Sequence, residues 1–170
     1  MSVSDHDGHI EQHIPRLRRY ARALTGDRAA ADDLVQDTLE RALSRFHLWR
    51  RGSDLRAWLF TIMHNIFVNQ TRSRMRYPHQ ALDEPTADAL QYCEPDWSDL
   101  RDVGGALARL PVEQRTVVLL VGLEQFTYDE AARVLDVPIG TVMSRLSRAR
   151  ERLRKLLGGD FRAAALKVVK

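Results

Sequence analysis

The stretch "TYDEAARVLDVPIGTVMSRLSRARERL", Thr127 to Leu153, limits what this chain can fold into more than any other segment. Thr127 and Glu130 have the spacing of a capping box, in which each side chain satisfies an amide at a helix start. Ala131 and Ala132 are small enough for close helix contact, and "DVPIG" makes a short turn into a second helix. The pattern is a helix-turn-helix. In the second helix Val142, Leu146, Ala149 and Leu153 form a stripe for burial, while Met143, Ser144, Ser147 and Arg148 share another face, suited to a DNA major groove. Arg148 carries the planar fork that bonds a guanine edge twice, whereas Arg145, Arg150, Arg152 and Arg154 are placed for phosphate contacts. A solvated basic helix would explain the charges alone, but not the capping box and turn together.

Helical periodicity runs through the rest of the chain, and alternating strand patterns are almost absent. A first helix is expected from Ile14 to Leu24, closed by Gly26. Asp27 caps a second, in which Ala31, Leu34, Val35, Thr38, Leu39, Ala42 and Phe46 form the buried stripe. Gly52 breaks the chain, and Ser53 or Asp54 caps a third helix with an apolar stripe of Leu55, Trp58, Leu59, Ile62 and Ile66. Its later turns become polar and basic at Asn65, Asn69, Arg72, Arg74 and Arg76. After Tyr77-Pro78 the composition changes: "HQALDEPTADALQYCEPDWSDLRD" has two prolines and seven carboxylates among its 24 residues, so it reads as an extended tether. Helical patterns resume over Val103 to Arg109, Pro111 to about Leu123, Tyr128 to Leu135, and Ile139 to about Leu157. The expected organisation is an all-α chain with helical domains at 1–78 and 103–170, joined by an acidic linker at 79–102.

The formal net charge of +3 conceals a segregation. Residues 1–78 carry +4, residues 79–102 carry −6, and residues 103–170 carry +5. Two basic blocks flank an acidic tether, which points to polyanion partners. The single Cys93 excludes an intramolecular disulfide and fits a reducing cytosol. No apolar run approaches the ~18 residues of a membrane span, so the protein is expected in the cytoplasm. One stretch opposes the basic trend. On a helix, "ADDLVQDTLERAL" (Ala31 to Leu43) lines up Asp33, Gln36, Asp37 and Glu40 on one acidic face.

The N-terminal "DHDGHIEQH" brings His6, His9 and His13 close together, yet no further ligand cluster completes a metal shell. No phosphate loop, nucleophilic triad or cofactor motif can be argued from spacing, so neither an enzyme nor a bound cofactor is expected.

Three segments in order, "ADDLVQDTLERAL", "LRAWLFTIMHNIFVNQTRSR" and "LPVEQRTVVLLVGLEQFTYDEAARVLDVPIGTVMSRLSRARERL", resemble the extracytoplasmic-function (ECF) group of sigma-70 transcription initiation factors. The resemblance implies a region 2 domain for the promoter −10 element and a region 4 domain for the −35 element, with the tether passing through RNA polymerase core. It implies docking of Asp33, Gln36, Asp37 and Glu40 on the β′ clamp helices, with further contact to the β subunit. Trp49, in the loop "HLWRRGSD", stands where the family captures an unstacked base; Asn65 matches a position touching that base, and Asn69 and Arg72 extend the −10 surface. Trp58 lies on the apolar stripe and is expected in the core. The −35 surface would comprise Met143, Ser144, Arg145, Ser147, Arg148 and Arg152. Met143 is often basic in relatives, so no −35 sequence carries over; a thioether favours a thymine methyl. A cognate anti-sigma factor is also implied. A helix-turn-helix regulator that never joins polymerase would leave the first 78 residues without a role.

Overall fold

The computed structural model describes residues 10–50, 52–76 and 98–157, and every regular element among them is helical. Helix α1 (Ile14–Thr25) buries Leu17, Tyr20, Ala21 and Leu24, a three-and-one rhythm that leaves its arginines outside. Gly26 ends it in the left-handed region at φ 71°, a conformation glycine adopts without a Cβ penalty, and its amide donates to the Arg22 carbonyl. Helix α2 (Arg28–Ser44) opens on Asp27, whose carboxylate accepts from the Ala30 amide at 2.7 Å. Ala31, Leu34, Val35, Thr38 and Ala42 are buried as the stripe requires, and the Thr38 hydroxyl is satisfied by the Leu34 carbonyl at 2.6 Å. Leu39 and Phe46 are only partly buried.

A short 3₁₀ turn, Phe46–Leu48, leads to helix α3 (Leu55–Arg76), and Asp54 provides its cap by accepting from the Ala57 amide. The periodicity of α3 predicts one apolar stripe, but the helix is covered on two sides. Leu55, Leu59 and Ile66 are buried as expected, and so are Phe60 and Met63. The physical reason is a second packing partner: α3 lies against α2 on one side and against the C-terminal helices on another.

Helix α4 (Ser98–Ala108) starts five residues before Val103, so residues 98–102 of the expected tether are helical. Apolar period alone misses such a start, because helix N-termini favour polar and acidic residue types. Helix α5 (Val112–Val118) follows Pro111 and does not continue as an ordinary helix to Leu123. Leu119–Leu123 form a π turn, with the Glu124 amide bonded to the Leu119 carbonyl at 3.0 Å. Helix α6 (Tyr128–Leu135) has both halves of the capping box, and Asp136 ends it at φ 52°. Helix α7 (Ile139–Leu156) buries Val142, Leu146, Ala149 and Leu153, the four residues of its apolar stripe.

The N-terminal domain (α1–α3) and the C-terminal domain (α4–α7) pack on each other, and their buried apolar residues form one continuous cluster. Helix α3 meets α6, and α1 meets α4 and the π turn. At the centre Phe126 stands edge-on to Phe60 at 5.2 Å, and Phe60 stands edge-on to Tyr20 at 5.1 Å.

His64 reports on this packing. It is largely buried on α3, its Nδ1 has no hydrogen-bond partner, and burial together with the nearby Arg145 of α7 holds its pKa below 6.5. The unfolded chain therefore takes up this proton first as pH falls. Stability from the neutral imidazole is complete above about pH 6.5 and declines as pH drops through that value toward the folded pKa. Denaturation series from pH 7.5 to 5 should show a shallower acid-side loss for His64→Gln than for the wild type; parallel slopes would mean the imidazole is solvated.

Candidate polymerase and nucleic-acid interfaces

Helix α2 turns Ala31, Leu34, Val35 and Thr38 inward, which forces Asp33, Gln36, Asp37 and Glu40 onto the outer surface, and all four are exposed. Three of them are hydrogen-bonded. Gln36 donates to Glu40 at 3.1 Å, and Gln70 of α3 donates to Asp37 at 3.0 Å. The strip is thus partly ordered before any partner arrives.

Trp49 is not the open loop residue that its position in "HLWRRGSD" suggests. It follows the 3₁₀ turn, is half-buried, and leans on Phe46 at 5.3 Å between ring centroids. Its indole N–H is buried without a partner. Phe46 also meets Trp58 edge-on at 6.1 Å, so two tryptophans flank one phenylalanine. Trp58 is half-buried, in keeping with a packing role. Along α3, Asn65, Asn69 and Arg72 are exposed and spaced at four and three, which puts them on one face. Leu48, next to Trp49 in the chain, is 64% exposed.

On α7 the outward face carries Met143, Ser144, Ser147, Arg148 and Arg152, all exposed; Met143 is 52% exposed, unusual for a large apolar side chain. Ser144 donates to the Thr141 carbonyl at 3.1 Å. The expected phosphate contacts divide. Arg152 and Arg154 are exposed, as is Arg148, the residue expected at a base edge, whereas Arg145 and Arg150 are half-buried; Arg145 lies near His64, and Arg150 has a buried Nε without a partner. A shallow groove of about 380 Å³ runs between α6 and α7, lined by Tyr128, Met143, Ser147, Arg150 and Arg154 among others. Glu151 at its edge is paired with Lys155 at 2.9 Å, and that hydrogen bond holds its carboxyl below the usual range.

His6 and His9 lie outside the described residues, and His13 is half-buried, its pKa lowered by burial and by Arg16. Among the described residues no group of three metal-ligating side chains exists, and no helix is long and apolar enough to cross a membrane.

Residues 10–64 match the family model of the Sigma2 domain of PhyR, and residues 100–153 match sigma-70 region 4. The ECF RNA polymerase sigma factor EcfG of Rhodopseudomonas palustris is 40% identical over 86% of this chain and 82% of its own length. The chain belongs to the ECF RNA polymerase sigma factors. Among solved structures, the Bartonella quintana sigma factor RpoE, in complex with the anti-sigma factor NepR, superposes on 93% of this sigma factor and 99% of its own chain. Its TM-score is 0.80 and its identity 38%. The PhyRSL–NepR complex from Sphingomonas sp. Fr1 matches at TM-score 0.66 and 25% identity, over 99% of this chain and 94% of its own. The sigma factor thus carries region 2 in α1–α3 and region 4 in α4–α7.

Sequence reasoning missed the residues that join the two regions: Arg19, Arg56, Arg115, Glu124 and Phe126. One signal was available. Glu124 is a lone charge at the end of the apolar run "VVLLVGLEQF", where a carboxylate needs a partner from elsewhere in the fold.

Trp49→Ala should lower the unfolding free energy by about 1–3 kcal/mol, because it removes half-buried aromatic area and the Phe46 contact. Asn65→Ala, on an exposed face, should stay within about 0.5 kcal/mol. Urea titrations of both variants check this, and an unchanged midpoint for Trp49→Ala would show that its indole packs against nothing in solution.

Proposed function

We propose that the three exposed surfaces divide the work of initiation. Asp33, Gln36, Asp37 and Glu40 dock on the β′ clamp helices of core polymerase. Carboxylates suit a protein partner there, since they repel phosphate and leave duplex DNA to the other faces. Trp49, Asn65, Asn69 and Arg72 act at the −10 element, where a base leaving the stack needs an aromatic platform and edge hydrogen bonds. The half-buried Trp49, held against Phe46, is the aromatic candidate for such a platform.

Met143, Ser144, Arg145, Ser147, Arg148 and Arg152 read the −35 element. Arg148 supplies base-edge specificity, Arg152 phosphate attraction, and Met143 an apolar contact of the kind a thymine methyl accepts. Each domain occupies one segment, the first within 1–78 and the second from the start of α4 at Ser98 onward, and the acidic stretch between them serves as the tether through the core. The protein works in the cytoplasm and is controlled by an anti-sigma factor, as supported by the similarity to RpoE in its complex with the anti-sigma factor NepR. Any catalysis belongs to the polymerase.

The observation that carries this reading is the order of the modules within one chain: an acidic docking strip, a polar face beside an aromatic platform, then a capped helix-turn-helix with an outward basic face. A regulator that acts without polymerase has no use for the first two. Run-off transcription from genomic fragments with core polymerase tests it. Promoter-dependent transcripts should appear only when this chain is added, and their absence beside an active control sigma factor would overturn the proposal.

Charge reversal tests the docking strip by itself. Asp37→Lys with Glu40→Lys should weaken binding to core polymerase at least tenfold while leaving circular dichroism unchanged, because both residues are exposed. Unchanged affinity would make the strip an ordinary solvated face.

A further inference from the structure

Five large apolar side chains among the described residues stay in water, and two of them stand one turn apart where α7 begins. Ile139 is 47% exposed and Met143 is 52% exposed. Ile139 is the first residue of the helix, just after the Pro138 cap, and a spacing of four sets both side chains on one face with Cβ atoms about 5–6 Å apart. The core uses neither of them. Val142, Leu146, Ala149 and Leu153 supply the buried stripe of α7, and Ile139 and Met143 lie beside it rather than on it. A single exposed apolar residue needs no explanation, but an adjoining pair at the start of a recognition helix does.

The surroundings decide what the pair fits. Between the two residues Gly140 carries no side chain, and no other part of the fold lies within 4 Å of where a Cβ would stand, so the first turn can approach a surface closely. Farther along the outward side come the exposed guanidiniums of Arg148 and Arg152, and the positive end of the helix dipole lies at Ile139 itself. That charge selects a polyanion over an apolar protein face. Recognition helices present their N-terminal residues to base edges, and the one apolar group those edges show in the major groove is the thymine 5-methyl. Cytosine is the contrast. An apolar side chain over cytosine loses the methyl contact and leaves the exocyclic amine desolvated without an acceptor.

We infer that Ile139 and Met143 form a methyl-reading pair, each covering one thymine 5-methyl, so that the −35 element holds two thymines within two base pairs of each other. The spacing follows from the helix, since about 5–6 Å between the side chains spans one to two base steps of ~3.4 Å. Ile139 is thereby a specificity-determining residue alongside Met143 and Arg148. The arginine selects guanine by hydrogen bonds, whereas the pair selects thymine by apolar contact, so the two kinds of contact read different positions. This inference rests on α7 reading the −35 element.

Deoxyuridine provides the test, because its base differs from thymine only by the methyl. Core polymerase carrying this chain is bound to a promoter it transcribes, with each thymine of the −35 element replaced singly by deoxyuridine on either strand. The wild type should lose about fourfold in affinity at two positions within two base pairs of each other, the effect of one buried methyl at each. Ile139→Ala should lose a similar amount on unmodified DNA and then be indifferent to deoxyuridine at one of these positions, and Met143→Ala at the other. Ile139→Val, which keeps a branched apolar side chain, should retain part of the preference. Urea midpoints of all three variants should match the wild type, because both residues are exposed. A wild type indifferent to deoxyuridine at every thymine, yet sensitive to base-pair changes in the −35 element, would overturn the methyl-reading pair alone. Indifference to base-pair changes as well would overturn the −35 reading with it. Alanine variants that keep the full methyl preference at both positions would also overturn the pair.

Discussion

Glu124 is where the demands on this chain meet. An apolar run leads into it, and the π turn at Leu119–Leu123 shifts the helical register just ahead of it and of Phe126. The carboxylate is then removed from water and left to depend on an arginine of the other domain. The surrounding structure serves that arrangement. Arg56 bridges the Glu124 carbonyl, the Phe126 ring and the capping-box Glu130, so the seam is tied to the start of the helix-turn-helix. The ring series Tyr20, Phe60, Phe126 excludes water around it. Inside such a seam each hydrogen bond is stronger, and each missing one costs more.

The outer surfaces follow from the same economy of faces. A helix buried on one side presents its remaining residues to solvent, and each helix here spends that side on a different partner chemistry. Carboxylates on α2 favour protein over nucleic acid. Asparagines and an arginine on α3 suit bases and backbone at a melted site, and arginines with a methionine on α7 suit a duplex groove. Segregating charge by helix gives a chain with a net charge of only +3 both an acidic face and basic ones.

Much of this was legible in the sequence because it is local. The Asp27 cap, the Gly26 stop, the Thr127–Glu130 capping box and the α7 stripe each depend on residues within a few positions of one another, and the structure has all four. The exposure of the acidic strip followed from helix geometry alone. What escaped was long-range. Phe60 and Met63 lie off the single apolar stripe that periodicity assigns to α3 until the C-terminal helices are packed there, the half-burial of Arg145 follows from its place near His64 of α3, and Trp49 looks like a loop residue until Phe46 is placed beside it. The helical start at Ser98 was hidden by acidic composition, and the π turn leaves no periodic trace in so short a run.

The central claim is that this chain joins core polymerase through the acidic strip of α2 and reads promoter DNA through the outward faces of α3 and α7. The most direct measurement is site-specific photocrosslinking from Asp37, Asn69 and Arg148 in a complex of core polymerase, this chain and promoter DNA. The account predicts a crosslink to the β′ subunit from position 37, and crosslinks to DNA at the −10 element from position 69 and at the −35 element from position 148. Crosslinks from position 37 to DNA, or none to DNA from position 148, would contradict it.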